Sequence, residues 1–165
     1  MTSKSFLLFF LFSSLLFGSL YSGATSIEVP VIRDIREEAK LAQKNNLPIL
    51  IIFSSDHCPF CDLVKEDFLK PMLISGDYTH RTLIREVNVD DGNEMINFDG
   101  QEISADTFTY RYNVSLFPTM LMLDYHGKKV SHRILGVNTP EMFGGRIDAM
   151  IDKANMELGN KITKN

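Results

Sequence analysis

The chain has 165 residues, 21 of them Asp or Glu against 17 Lys or Arg, for a formal net charge of -4, and its only cysteines are Cys58 and Cys61. A mildly acidic chain with no long basic run offers no footing for nucleic acid or anionic lipid. One cysteine pair, with no second pair, leaves a tetrahedral four-thiolate zinc site without its ligands.

Residues 1–24 differ in composition from all that follows. Lys4 precedes the apolar run Phe6-Leu7-Leu8-Phe9-Phe10-Leu11-Phe12, then Leu15-Leu16-Phe17, and the small residues Ser22-Gly23-Ala24 close the segment. A basic start, an apolar stretch and a small-residue exit form a secretory signal peptide, with cleavage expected near Ala24. A retained transmembrane anchor is the alternative. It is disfavoured because Ser13, Ser14, Gly18 and Ser19 dilute the apolar run and no basic stop-transfer cluster follows. Residues 25–165 are then about 140 in number, enough for one domain around one core. Loss of Lys4 with no acid takes the net charge to -5. An exported location, periplasmic or otherwise, is one where disulfides persist, and no stable membrane insertion is expected after cleavage.

From Val31 to Asn46, Ile32, Ile35, Ala39, Leu41 and Ala42 fall on one face and charged residues on the other, predicting a surface helix. Pro48-Ile49-Leu50-Ile51-Ile52-Phe53 has no polar alternation and reads as a central strand buried on both faces. Asp62 to Ser75 is helical in pattern, with a kink or break expected near Leu69 from Pro71. Leu83 to Val89 is a second strand; the polar stretch Asp90 to Gly100 follows, with a small hairpin turn at Asp99-Gly100. Ser104 caps a short helix through Tyr112. Thr119 to Leu123 is a third strand, His126-Gly127 a turn, and Lys129 to Leu135 a fourth strand. Thr139-Pro140-Glu141 starts the final helix, through Leu158, which Gly144-Gly145 weakens. This alternation predicts an α/β fold, a mixed sheet with helices around it and a final antiparallel strand pair.

The cysteines lie at the join between the buried strand and the next helix. A disulfide across two intervening residues closes almost no loop and is a poor structural staple. A helix N-terminus instead presents free amide hydrogens and partial positive charge, which favour a thiolate. Pro59 suits the first helical turn, where its missing N–H is no loss. Cys58, exposed at the junction, is assigned as the attacking thiolate, and Cys61, one turn later, as the thiol that resolves a mixed disulfide. His57, when protonated, would lower the pKa of Cys58, opposed by Asp56; the alternative is a plain surface residue. A soft-metal site, copper or zinc, built on Cys58, Cys61 and His57 is the binding-module alternative. A redox-inactive interaction protein would need neither cysteine. His80, His126 and His132 read as solvated side chains, and Asp90-Asp91 with Glu94 and Asp99 lacks the ligand spacing of a calcium loop.

Cys58-Pro59-Phe60-Cys61 after a buried strand, with Phe117-Pro118-Thr119 before a later one, resembles the thioredoxin superfamily. More particularly it is similar to bacterial periplasmic thioredoxin-like proteins, including those associated with sulfur oxidation. These carry an extra stretch where Asn88-Val89-Asp90 and Asn97-Phe98-Asp99-Gly100 stand here. The resemblance implies a thioredoxin fold with a central mixed β-sheet, helices on both faces, and an insertion between the second strand and the third helix. It also implies a cis peptide bond before Pro118, and a substrate-binding surface formed by Pro59, Phe60, Phe117 and Pro118, with Phe117 offering its main chain. The chain departs from thioredoxin itself in having His57 before the first cysteine, Pro59-Phe60 between the pair, and Ile52 where that protein has a buried acid. The resulting expectation is an exported thiol-disulfide oxidoreductase that reduces disulfides of envelope proteins. It would need no cofactor, act as a monomer and draw electrons from a membrane donor. A disulfide oxidase or isomerase of the same fold is the competing reading.

Overall fold

The computed structural model describes residues 27–160; the expected signal peptide, 1–24, lies outside them. In chain order the elements are α1 (Ile35–Asn45), β1 (Ile49–Ser54), α2 (Pro59–Val64), a π-helical turn (Lys65–Leu69), α3 (Lys70–Ser75) and β2 (Leu83–Asn88). A small hairpin, β3 (Glu94–Ile96) and β4 (Glu102–Ser104), comes next, then α4 (Ala105–Arg111), β5 (Thr119–Leu123), β6 (Ile134–Leu135) and α5 (Pro140–Glu157). Among these elements no helix is long and apolar enough to cross a membrane.

The apolar run Ile49-Leu50-Ile51-Ile52-Phe53 forms β1, in which every residue is buried. A strand covered on both faces and both edges has no use for polar alternation. β1 pairs in parallel with β2 and antiparallel with β5, and β5 pairs antiparallel with β6, giving a mixed sheet of order β2-β1-β5-β6. Alternate residues of β1 feed two cores. Leu50 and Ile52 pack with Val64, Leu69, Met72, Phe143, Ile147 and Met150, so α2, α3 and α5 cover one face. Ile49, Ile51 and Phe53 pack with Ile35, Ala42, Ala105 and Phe108, placing α1 and α4 on the other. Each Val, Leu, Ile, Phe or Met side chain among them, fully buried, contributes about 1.5–3 kcal/mol relative to exposure.

The insertion expected between the second strand and the third helix of the sequence is present. β3 and β4 form a separate antiparallel pair, and Asn97 closes its turn by accepting from the amides of Asp99 and Gln101 through Oδ1. The hairpin is tied to the chain ahead of α1 by a bridge between Asp34 and Ile96, and Arg33 pairs with Asp91. The turn at His126-Gly127 packs under it: a Cβ on Gly127, whose φ is 80°, would lie 2.8 Å from the Phe98 ring.

Five features differ from expectation. The first helix begins at Ile35, not near Val31, because the Asp34 side chain accepts from the Arg36 amide as N-cap, while Val31 lies beside β2 in a single parallel bridge to Glu86. Leu41, expected inward, is exposed. Pro71 does not break its helix. The strain of its ring against the preceding turn is absorbed by the π-helical turn, where the Lys70 amide reaches back five residues to the Lys65 carbonyl. The fourth strand is reduced to Ile134 and Leu135. Lys129 still bridges Leu123, but residues 131–133 leave the ladder in a bulge, and the Arg133 guanidinium donates to the carbonyls of Asn113 and Tyr112 at the end of α4. Finally, Thr139 stands at the N-cap place of α5 without a side-chain cap bond.

Two expectations follow. Gly145 lies inside α5 with open space around the position of a Cβ, so Gly145→Ala should stabilise the protein by about 1 kcal/mol, read as a raised urea midpoint. Burial, aided by the Asp124 carboxylate, pushes the Tyr112 phenol up to about 12. Its folded value thus exceeds the unfolded value of about 10, so the stability tied to neutral Tyr112 is full below about pH 10 and lost as pH rises toward about 12. Tyr112→Phe should lose less stability than the natural protein across that interval.

Candidate active site

The end of β1 delivers the chain to solvent at Ser55, and the turn back into α2 carries the cysteine pair. Cys58 is the N-cap of α2 and Pro59 its first helical residue. The Cys58 carbonyl accepts from the amides of Cys61 and Asp62 at 2.9 and 3.1 Å, and its Sγ accepts from the Cys61 amide at 3.2 Å. The two sulfurs are joined in a disulfide with a Cα–Cα separation of 5.2 Å. Their accessibility is unequal: Cys58 is half-buried, whereas Cys61 is 0 % exposed. Only Cys58 offers its sulfur to a large partner, and the amide aimed at that sulfur is a ready donor to a thiolate.

The loop ahead of Cys58 is braced from β2. The Val89 amide donates to the Ser54 carbonyl, the Asn88 side-chain amide to Asp56 Oδ1 at 2.9 Å, and the Asp56 amide to Asp90 Oδ2 at 2.8 Å. The bracing turns the backbone at His57 to a φ of 56°. His57 is exposed, and among the described residues none hydrogen-bonds its ring. Asp56 is engaged by Asn88, turned toward the insertion.

Phe117 and Pro118 enter the sheet at the same end. The register pairs Phe53 with Thr119, so continuing it places Pro118 beside Ser54, the last residue of β1. The Phe117-Pro118 peptide bond is cis, as the resemblance implies. The Pro118 carbonyl accepts from the Gly136 amide at 2.8 Å, whereas among the described residues nothing bonds the main-chain N–H or carbonyl of Phe117. The Phe117 ring packs against the α1/α4 core, leaving its neighbour Leu116, 53 % exposed, to present apolar surface. Phe60 is 57 % exposed beside the cysteines. Pro59 is exposed as well.

On β2 lies a buried polar group that sequence reading passed over. Glu86 on β2 is 5 % exposed, and its Oε1 accepts from the Ser54 hydroxyl at 2.5 Å and from Lys65 Nζ at 3.1 Å. Two successive charges, Arg85-Glu86, within a strand were the signal. Neighbouring strand residues face opposite sides, so each had to meet a covering layer. Arg85 meets Glu38 of α1 at 2.7 Å on one side, and Glu86 meets Lys65 on the other. Among the described residues no group of three or more His, Cys, Asp or Glu side chains is gathered as a metal site.

Comparison with known proteins agrees with this geometry. Residues 35–151 match the sequence profile of a family described as a thioredoxin-like domain. Among solved structures, a thioredoxin from Thermus thermophilus superposes with a TM-score of 0.54 at 21% identity, over 78% of this chain and 91% of that one. A protein described as DsbH oxidoreductase gives 0.56 at 16% identity, over 77% and 88%. A poplar thioredoxin h gives 0.50 at 19%, over 73% and 96%. At such identities the likeness shows the fold. A search of curated proteins found no sequence match.

The left-handed backbone at His57 is tolerable for His but poor for a β-branched residue. His57→Val should lower stability by about 1–2 kcal/mol, read from urea unfolding of the oxidised protein, whereas His57→Gly should not.

Proposed function

Because this chain belongs to the thioredoxin-like domain family, we propose that it is an exported thiol-disulfide oxidoreductase that reduces disulfides of envelope proteins through Cys58 and Cys61. The observation that carries the reading is the unequal placement of the two sulfurs, one at the surface and one beneath it. In the reduced protein the Cys58 thiolate attacks one sulfur of a substrate disulfide, forming a mixed disulfide and expelling the other sulfur as a thiolate. Cys61 then attacks Cys58 Sγ, which frees the second substrate sulfur and leaves the Cys58–Cys61 bond. Two electrons pass from the dithiol to the substrate, and a membrane donor restores them.

The free main-chain groups of Phe117, beside Pro118, are suited to an extended substrate segment, and the exposed Phe60 and Leu116 to its apolar side chains. Export rests on the basic, apolar and small-residue pattern of residues 1–24. The envelope setting and the preference for reduction rest on the resemblance to periplasmic relatives of the sulfur-oxidation type. The protein is taken to act as a monomer. His57 is proposed to aid ionisation of its neighbour Cys58.

Cys58→Ser should abolish insulin reduction, and Cys61→Ser should accumulate mixed disulfides on Cys58, seen as higher-mass species that dithiothreitol removes. The reduction potential of the pair decides direction: a value near about -270 mV fits a reductase, whereas one near about -120 mV would replace it with an oxidase. Mass measurement of the secreted or periplasmic form should find the chain beginning close to Thr25.

A further inference from the structure

At the far end of the sheet from the cysteines, the chain forms a concave site that the scheme above does not use. A cavity of about 330 Å³, whose lining includes Lys128, Lys129, Ser131, His132, Lys153 and Glu157, lies at the lower end of the range of about 300–1,000 Å³ for small-molecule sites. Register sets its place. β5 runs five residues from Thr119, next to Pro118, to Leu123, which bridges Lys129. At about 3.4 Å per residue of antiparallel strand, roughly 15 Å separates the cis proline from the cavity. The bulge that shortens β6 supplies the chemistry. Val130 still donates to the Met122 carbonyl and the ladder resumes at Ile134, but among the described residues no acceptor bonds the main-chain N–H of Ser131, His132 or Arg133. Free N–H groups at the edge of a sheet form anion-binding concavities. The side chains add charge of the matching sign. Lys128 and Lys129 are exposed, and among the described residues neither has a carboxylate within ion-pair distance. The two carboxylates of the lining are already engaged. Asp124 Oδ1 accepts from the amides of His126 and Lys128 at 2.9 and 2.8 Å, and Glu157 Oε1 accepts from Lys153 Nζ at 2.5 Å. That Lys153 bond, with a smaller contribution from the Lys128 charge, holds the Glu157 carboxyl below the usual carboxylate range.

We propose that this cavity binds a small phosphate-bearing anion, held by Lys128, Lys129 and the free main-chain N–H groups of the 131–133 bulge. A neutral or apolar guest would leave those donors unpaired, which is costly once water is displaced. Among the described residues no arginine lines the cavity. Lysines supply point charges suited to a phosphate, whereas the planar fork that grips a carboxylate is an arginine property. Ser131 Oγ and His132 Nδ1, 3.4 Å apart, add hydrogen-bonding groups beside the lysines. Glu157 is the competitor, because it occupies Lys153, the third ammonium group of the lining. The binding involves no covalent step and no thiol, so the inference stands apart from the oxidoreductase reading.

The test is a titration of the oxidised protein with inorganic pyrophosphate at constant ionic strength, followed through its amide proton–nitrogen correlation spectrum. Saturable shifts are expected at the amides of Ser131, His132 and Arg133, with none at Cys58 or Phe117. Lys128→Gln combined with Lys129→Gln should weaken binding at least about tenfold, the loss of one charged hydrogen bond. Glu157→Gln should tighten binding, because it frees Lys153. All three side chains are exposed, so the variants should keep the natural unfolding midpoint in urea. Shifts that grow without saturation, shifts spread over other surface lysines, or an unchanged affinity in the double variant overturn the proposal. Equal affinity for sulfate overturns it too, since that marks an unspecific counterion site. Sedimentation with phosphatidylglycerol vesicles at about 0.15 M salt, lost in the double variant, would replace the small anion with a lipid headgroup.

Discussion

The burial of β1 on every side is the constraint from which the site follows. A strand whose six residues are all enclosed can meet water only where it ends, and in a sheet with parallel and antiparallel neighbours those ends are where the chain must turn. The Ser54 carbonyl is taken up by the Val89 amide just after β2, and the exposed, braced loop of Asp56 and His57 then leads to the residue that caps the helix. That residue is Cys58. Had β1 been half-exposed, the junction would have been one loop among several, without a rigid base on either side.

The second constraint is electrical. β2 places Arg85 and Glu86 in succession, and the pleat sends them into opposite layers. Each is matched by a helix, Arg85 by Glu38 and Glu86 by Lys65. Removing one partner of a buried pair generally costs about 3–5 kcal/mol because the other charge is left behind. The pairs therefore tie α1 and the π-helical turn after α2 to the same strand, from two sides at once.

Much of this was legible in the sequence, and the remainder was hidden for definite reasons. The continuous apolar run of residues 49–53, the cysteine spacing and Phe117-Pro118-Thr119 each carry their meaning locally, because burial, capping and turn chemistry act over a few residues. The bulge at 131–133 does not. The letters from Lys129 to Leu135 alternate as a strand should, and only the tertiary bonds of Arg133 to Asn113 and Tyr112 pull that stretch from the ladder. The early start assigned to α1 has a similar origin: Val31 and Ile32 fit a helical stripe equally well, and what decides is the presence of β2 alongside. Glu86 was hidden differently, since a lone acid in a strand reads as solvent-facing until its layer is known. The adjacency of Arg85 was the one local hint that it was not.

The same bulge bears on how the protein survives the company it would keep. A partner with a disulfide to exchange is often incompletely folded, and its loose segments readily add to any open row of backbone donors and acceptors. Here β6 is only two residues long, following the bulge that turns the chain aside, and at the opposite margin the main chain of residues 30–32 lies along β2. Among the described residues, both borders of the sheet are thus short or partly covered. A client can be gripped at the cysteines and let go, without the two chains being sewn together elsewhere.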